Sequence, residues 1–269
     1  MKILFIGGGN MATAMLGGLL QQGFAGSDLY VVEPSADKRQ QLQAEFGVQV
    51  LAEDAALPPT EVVVLAVKPQ QLPAVAQARA AELAGRLVIS IAAGIRMADL
   101  DRWLGHAARL VRVMPNTPAL VRAGISGAWL GPHATAADRV SAERILSSTG
   151  ALVWVEDEAK LDAITAISGS GPAYVFYFME SLTEAASQLG FDAATARQLA
   201  YATFDGAIKL ALASSDSAAT LREKVTSKGG TTEAALRVLG EQGVQAAMVL
   251  AAQAAESRAA ELADELGRQ

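Results

Sequence analysis

The stretch Lys2-Ile3-Leu4-Phe5-Ile6-Gly7-Gly8-Gly9-Asn10-Met11-Ala12 decides the fold. A short apolar strand stops at Gly7, and a helical pattern over Met11 to Gln22 begins almost at once. Gly7, Gly9 and Ala12 form G-x-G-x-x-A across that junction. The first glycine permits a tight turn, the second lets backbone approach a pyrophosphate, and Ala12 is small enough for the helix to close on the strand. The N–H groups and positive dipole end of such a helix start suit phosphates, with Asn10 and Met11 as its first residues. A glycine-rich turn without a ligand has the same letters, so the surroundings decide. They continue the pattern: a second strand, Leu29 to Glu33, ends in an acid 21 residues after Ala12.

Further strands are expected at Val62 to Val67, Leu87 to Ile91, Leu110 to Met114 and Ile125 to Leu130, alternating with helices such as Asp37 to Phe46. That is the layout of a parallel sheet with crossover helices. After Trp154 alanine becomes frequent, and Pro172 to Leu189, Ala193 to Ala213 and Thr232 to Leu266 carry helical spacing. The last of these bears a stripe of Val244, Met248, Ala251, Ala255, Ala259, Leu262 and Leu266, the mark of helix packing within the chain or against a second copy. An acidic turn at Glu156 to Lys160 separates an α/β domain, 1–157, from an all-α domain, 158–269.

Composition removes other classes. Half the residues are apolar (51%) and 19% charged, which excludes disorder, and 22 Lys plus Arg against 28 Asp plus Glu gives a net charge of −6, with no basic run for nucleic acid. There is no cysteine, and the two histidines, His106 and His133, follow Gly105 and Pro132 in loops, so no metal site or catalytic triad is expected. No stretch reaches the ~18 apolar residues of a membrane span, and Gly7 to Gly9 interrupt the first apolar run too early for a signal peptide. The expectation is a soluble cytoplasmic protein that acts on a small molecule.

Glu33 can accept hydrogen bonds from the ribose hydroxyls of an adenosine half, which favours NAD. Ser35, Lys38 and Arg39 follow at once and can hold a 2′-phosphate if Glu33 turns away; as a plain solvated helix face they have no such role. Lys68 ends a strand in Ala66-Val67-Lys68-Pro69, Ala92, Ala93 and Gly94 follow the next, and Met114-Pro115-Asn116-Thr117-Pro118 follows the third. Residues of this kind at three adjacent strand ends point to a nicotinamide pocket. Two loops, Ser168-Gly169-Ser170-Gly171-Pro172 and Thr226-Ser227-Lys228-Gly229-Gly230-Thr231-Thr232, enter helices with hydroxyls and N–H groups suited to a small carboxylate, or to simple N-capping.

With these motifs in view, the chain resembles the Δ1-pyrroline-5-carboxylate reductases, through Phe5 to Met11, Ala66 to Pro69, Arg112 to Pro118, Ile167 to Tyr174 and Val225 to Thr232, in the family's order. The resemblance implies an N-terminal Rossmann dinucleotide-binding domain and an all-α C-terminal dimerisation domain that interlocks with a second subunit. The expected assembly is a homodimer or a ring of dimers such as a decamer, each site joining one subunit's Rossmann domain to its partner's helical domain. It implies reduction of a cyclic imine to proline with NADPH, NADH being the alternative. Ser227, Gly229, Gly230 and Thr231 fall where the family holds the substrate carboxylate and Thr232 where it meets the ring nitrogen, while Lys68, Ala93, Pro115 and Asn116 match the nicotinamide side. Thr232 and Lys68 are the catalytic candidates. Glu33 departs from the neutral residues frequent at that strand end and weighs against NADPH. The rivals are a β-hydroxyacid dehydrogenase, whose helical lysine has no counterpart in Gly171 to Glu180, another NAD(P)-dependent imine reductase, and a dinucleotide-binding regulator without turnover.

Overall fold

Four residues suffice for the first strand, β1 (Ile3–Ile6), because all four side chains are buried and neighbouring strands hold it on both sides. The structure, a computed structural model, describes residues 1–268. After β1 come α1 (Asn10–Gln21), β2 (Leu29–Val32), α2 (Ala36–Phe46), β3 (Gln49–Leu51), β4 (Val62–Leu65), α3 (Leu72–Leu83) and β5 (Leu87–Ser90). Then follow α4 (Met97–Trp103), β6 (Arg109–Met114), β7 (Gly124–Leu130), α5 (Ala136–Leu146) and β8 (Gly150–Trp154). The strands form one sheet in the order β3-β2-β1-β4-β5-β6-β7-β8. Phe5, Leu16, Val64, Ile89 and Ile145 belong to the core on one face, and Leu4, Val63, Leu83, Trp103 and Leu266 to the core on the other.

The sheet departs from the expected one in two ways. It has two more strands: β3 is three residues long, too short for periodicity to show, and β8 alternates between half-buried and exposed positions at the end of the sheet. It is also mixed, since β7 pairs antiparallel with β6 and parallel with β8. The reason is the short connection after β6, a 3-10 turn over Thr117–Val121, which leaves no room for the crossover a parallel neighbour needs.

Past β8, α6 (Lys160–Ile164) runs into a π-helical turn, Thr165–Gly169. Ser168 and Gly169, expected in a loop, therefore lie in helical backbone. The remaining helices are α7 (Gly171–Gln188), α8 (Ala193–Ala213), α9 (Ala218–Lys224), α10 (Thr231–Glu241) and α11 (Val244–Gly267). The single helical run expected over Thr232 to Leu266 is two helices, broken at Gly243, whose φ of 67° no continuing helix allows.

Two compact units result: 1–170 together with the chain from Ala255 onward, and Gly171–Ala254. In the first, the end of α11 buries Ala259, Ala263 and Leu266, pairs Asp264 with Arg96 at 2.7 Å, and has its Gly267 carbonyl capped by Arg102 at 2.9 Å. It backs the turn after β5: a side-chain carbon at Gly94 would lie 3.2 Å from Leu266 Cδ1. In the second unit Asp192 caps α8 through the N–H groups of Ala194 and Thr195. Among the described residues its only buried apolar side chains are Ala196 and Ala200.

Candidate active site

The strand order reverses between β1 and β4, whose partners Ile6 and Leu65 sit side by side, and a crevice opens there beyond the carboxyl ends. Gly7 turns the chain with φ +100°, and a side-chain carbon on it would collide with the Ala66 carbonyl at 2.8 Å, so the fold itself demands glycine. Gly9 differs. Its φ is −68°, and an added carbon would meet nothing nearer than 3.9 Å, so no protein atom requires its smallness. It is also the N-cap of α1, with no side-chain cap and no acid in the first turn, which leaves the N–H groups of that turn available to an anion. Room at Gly9 ahead of a bare helix start fits a dinucleotide pyrophosphate. Asn10 is exposed beside it, Met11 half-buried, and Ala12 fully buried between helix and sheet.

Glu33 follows β2 and folds back onto this loop: its Oε2 accepts from Gly8 N–H at 3.0 Å and its Oε1 from Ser35 N–H at 3.1 Å. The Ser35 hydroxyl caps α2 by accepting from Lys38 N–H at 3.4 Å, which leaves its own O–H free to donate. Arg39 donates through Nη1 to the carbonyls of Glu33 and Pro34, both at 2.7 Å, leaving the Glu33 carboxylate to the two N–H groups. Lys38 is half-buried on the first turn of α2.

β4 ends at Leu65, so Ala66, Val67, Lys68 and Pro69 form the turn into α3. Ala66 donates its N–H to the Ile6 carbonyl at 2.8 Å, and Lys68 is exposed. Ala93 is exposed past β5, and Pro115 is half-buried past β6. Asn116 is 8% exposed, and its amide is engaged by protein: Oδ1 accepts from Ile125 N–H at 2.9 Å and Nδ2 donates to the Ser168 carbonyl at 3.1 Å. These residues share one end of the sheet with the glycine loop.

The second cluster lies between α9 and α10. Gly229 has φ +73° and donates its N–H to Glu233 Oε2 at 2.7 Å, and Gly230 donates to the Ser227 carbonyl at 3.0 Å. Gly230 is the N-cap of α10 with no side-chain cap, so Thr231 and Thr232 are the first helical residues and neither hydroxyl caps the helix. Thr232 is half-buried, while Ser227 and Thr231 are exposed. Glu233 is a fixing residue that sequence reading missed; its signal is the capping-box interval from Gly230. Also missed is the pairing of Arg112, 6% exposed, with Glu158 at 2.7 Å and Asp162 at 3.6 Å, which ties β6 to the start of α6. An arginine inside an apolar strand was the signal. Among the described residues no three His, Asp or Glu side chains gather as metal ligands.

A glycine loop at the switch point of the sheet, followed in the chain by a helical region, is the layout of a nicotinamide-dependent oxidoreductase. The family model for pyrroline-5-carboxylate reductase dimerisation matches residues 158–262, and that for coenzyme F420-dependent NADP oxidoreductase matches 2–94. A pyrroline-5-carboxylate reductase of Pseudomonas aeruginosa is 45% identical over 99% of this chain and 98% of its own. The solved pyrroline-5-carboxylate reductase of Coxiella burnetii superposes with a TM-score of 0.92 at 40% identity, over 97% of this chain and 98% of its own. The Plasmodium falciparum pyrroline carboxylate reductase with NADP bound gives 0.86 at 27% identity, over 98% of both chains. The chain belongs to the pyrroline-5-carboxylate reductase family.

Proposed function

We propose that this chain reduces Δ1-pyrroline-5-carboxylate to L-proline with a hydride from NADPH, NADH serving as a second donor. The observation that carries this reading is the uncapped start of α1 behind Gly9, with no acid in its first turn; α10 behind Gly230 also lacks a side-chain cap, with the Gly229 N–H taken by Glu233, and both starts lie in motifs of the family. One suits the cofactor's pyrophosphate, the other a substrate carboxylate. The N–H groups of Gly9, Asn10 and Met11 hold the pyrophosphate over Ala12; Glu33, Ser35 and Lys38 face the adenosine ribose. Ala66, Val67, Lys68 and Pro69, with Ala93, Pro115 and the backbone of Asn116, line the nicotinamide. Ser227, Gly229, Gly230 and Thr231 hold the carboxylate.

Bound cofactor supplies the hydride, received by the carbon of the C=N bond. The ring nitrogen of a pyrroline is basic enough to keep or gain its proton without a strong acid, so the chain needs no histidine. Thr232 sets its hydroxyl on that nitrogen, and the exposed Lys68 ammonium is the second catalytic candidate. The residues then contribute mainly by positioning and by fixed N–H dipoles around the carboxylate.

On the same reading, residues 1–157 serve as the dinucleotide-binding part and 158–269 as the dimerisation and substrate-binding part. The assembly is a homodimer or a ring of dimers such as a decamer, in the cytoplasm. No described helix is long and apolar enough to cross a membrane. Support for the dimer comes from α7, α9 and α10, which have no buried residue in the single chain. To test the activity, cofactor oxidation is followed with pyrroline-5-carboxylate, with β-hydroxyacids and with an uncharged cyclic imine. We expect turnover with the first and at most traces with the others; preference for a β-hydroxyacid overturns the reading.

A further inference from the structure

Asn116 is engaged in a way the cofactor site does not explain. The carbonyl of Ser168 belongs to the π turn before α7, and the residue four further on, the donor of an ordinary α-helical turn, is Pro172, which has no N–H. Asn116 Nδ2 donates to this carbonyl at 3.1 Å. The other amide atom, Oδ1, takes the Ile125 N–H at 2.9 Å and so closes the base of the excursion over Thr117–Val121. Within the turn, Ser170 N–H donates to the Thr165 carbonyl at 2.8 Å, and the hydroxyls of Thr165 and Ser168 donate to the backbone carbonyls of Leu161 and Ile164. Packing backs the same junction, since a side-chain carbon on Gly169 would lie 2.6 Å from Met114 Cε.

We propose that Asn116 is a positioning residue: its buried amide brackets the Met114-Pro115-Asn116 strand end onto the π turn and thereby fixes the backbone that walls the nicotinamide. This rests on the assignment of Pro115 to that wall. The bracket holds three pieces of chain in one place, the end of β6, the start of β7 and the π turn, at the point where a displacement of about 1 Å can lower turnover a hundredfold. Filling the Ser168 carbonyl is a contribution to stability alone; tethering the strand end is the contribution to rate. The two are separable, because Pro172→Ala gives the chain its own N–H for that carbonyl.

The experiment compares the wild-type chain with Asn116→Ala, Asn116→Asp, Gly169→Ala and the double variant Asn116→Ala with Pro172→Ala. It measures melting temperature, NADPH dissociation constant, and kcat and KM for pyrroline-5-carboxylate. We expect Asn116→Ala to lower kcat about ten- to a hundredfold while the NADPH dissociation constant moves less than about threefold. In the double variant the melting temperature recovers and kcat does not. Asn116→Asp places a carboxylate oxygen against the Ser168 carbonyl, and that acid's pKa is raised, so its kcat relative to wild type climbs as pH falls and the protonated form donates again. Gly169→Ala pushes on the bracket through the flexible end of Met114 and lowers kcat in a chain that still folds, which keeps the test decisive if Asn116→Ala does not.

Recovery of both kcat and melting temperature in the double variant overturns the proposal in favour of simple carbonyl satisfaction. Equal losses in NADPH affinity and kcat overturn it in favour of direct cofactor contact. A wild-type chain without turnover strikes the underlying functional reading; normal wild-type turnover with unchanged kcat in Asn116→Asp and Gly169→Ala strikes the bracket alone.

Discussion

The two units are built on opposite terms. The first has a sheet buried on both faces, with Ile3, Leu4, Phe5, Val63, Val64, Leu65 and Ile89 inaccessible to solvent, and it is complete within one chain. The second has helices of comparable apolar content that bury almost nothing: Phe176 is 63% exposed, Ile208 59% and Leu212 83%. A helix normally gains most of its stability from packing an apolar face. The α/β unit supplies its own partner surface, whereas the helical unit leaves apolar faces open in the single chain, within the segment that the dimerisation family model matches.

Charging that face is expected to have the largest effect. Ile208→Asp with Leu212→Asp forfeits the burial of two aliphatic side chains, about 3–6 kcal/mol and so two or more decades of association. Light scattering should report monomer and turnover should vanish, with the sheet signature in circular dichroism retained. A fully active monomer breaks the comparison. If sites are shared between subunits, mixing the inactive Gly9→Val chain with the impaired Thr232→Ala chain gives more activity than the two measured separately.

Next come the two glycines that the fold treats differently. Gly7→Ala puts a side chain on a backbone with φ +100° and against the Ala66 carbonyl, so it destabilises the first unit by about 1–3 kcal/mol or more. Gly9→Val places its first side-chain carbon no nearer than 3.9 Å to any protein atom, so the melt should hold while titrations show no binding of either cofactor. Unchanged binding removes the cradle from the account.

In the helical unit Thr232→Ala should lower kcat about tenfold to a thousandfold, the range for one positioned polar group, and Thr232→Ser should keep much of the rate. Because the N-cap of α10 is Gly230, the melt should barely move. A lowered melt with intact turnover reverses the assignment.

Smaller is the effect of Glu33→Gln, which removes a charge held on the N–H groups of Gly8 and Ser35. The preference for NADPH over NADH should rise about tenfold, less than the ~4 kcal/mol of a close unscreened pair at intermediate dielectric, since solvent and salt screen the site. An unchanged ratio shows that Glu33 does not face the ribose.

The smallest effect concerns Asp138, at the start of α5. Burial pushes its carboxyl up, but the N–H and hydroxyl of Thr135 and the Arg109 guanidinium outweigh burial and hold it below the ordinary aspartate value. With the folded pKa depressed, its stabilising contribution is present above the unfolded value near 4 and is lost as pH falls through the folded one. Asp138→Asn should cost about 1 kcal/mol at neutral pH and flatten the acid limb of the stability curve. An unaltered acid limb assigns that limb to other carboxylates.

Legibility in the sequence followed the same divide. The cradle was readable because G-x-G-x-x-A, a strand before it and Glu33 after it are all local, and the expected strand at Leu110 to Met114 lies within β6. What escaped was set by distant partners: β3 is held by three residues of register with β2, and the reversal of β7 follows from a connection too short to cross over. The alanine stripe of the last helix announced packing, and its end, Ala259 and Leu266, is buried in the first unit, yet the break at Gly243 was hidden because residues on both sides keep helical spacing. Ser168 and Gly169 read as a loop because serine and glycine are common there, while the Asn116 amide that meets the Ser168 carbonyl lies far away in sequence.

The central claim, that this chain delivers a hydride to a cyclic imine, is tested most directly by the fate of the hydrogen itself. NADPH carrying deuterium at the transferable C4 position is incubated with pyrroline-5-carboxylate and the chain, and the product is analysed by mass and nuclear magnetic resonance. The account predicts one proline formed per cofactor oxidised, with a single deuterium on the ring carbon that had been double-bonded to nitrogen. Cofactor oxidation without labelled proline, or no oxidation by a folded chain that binds NADPH, would contradict it.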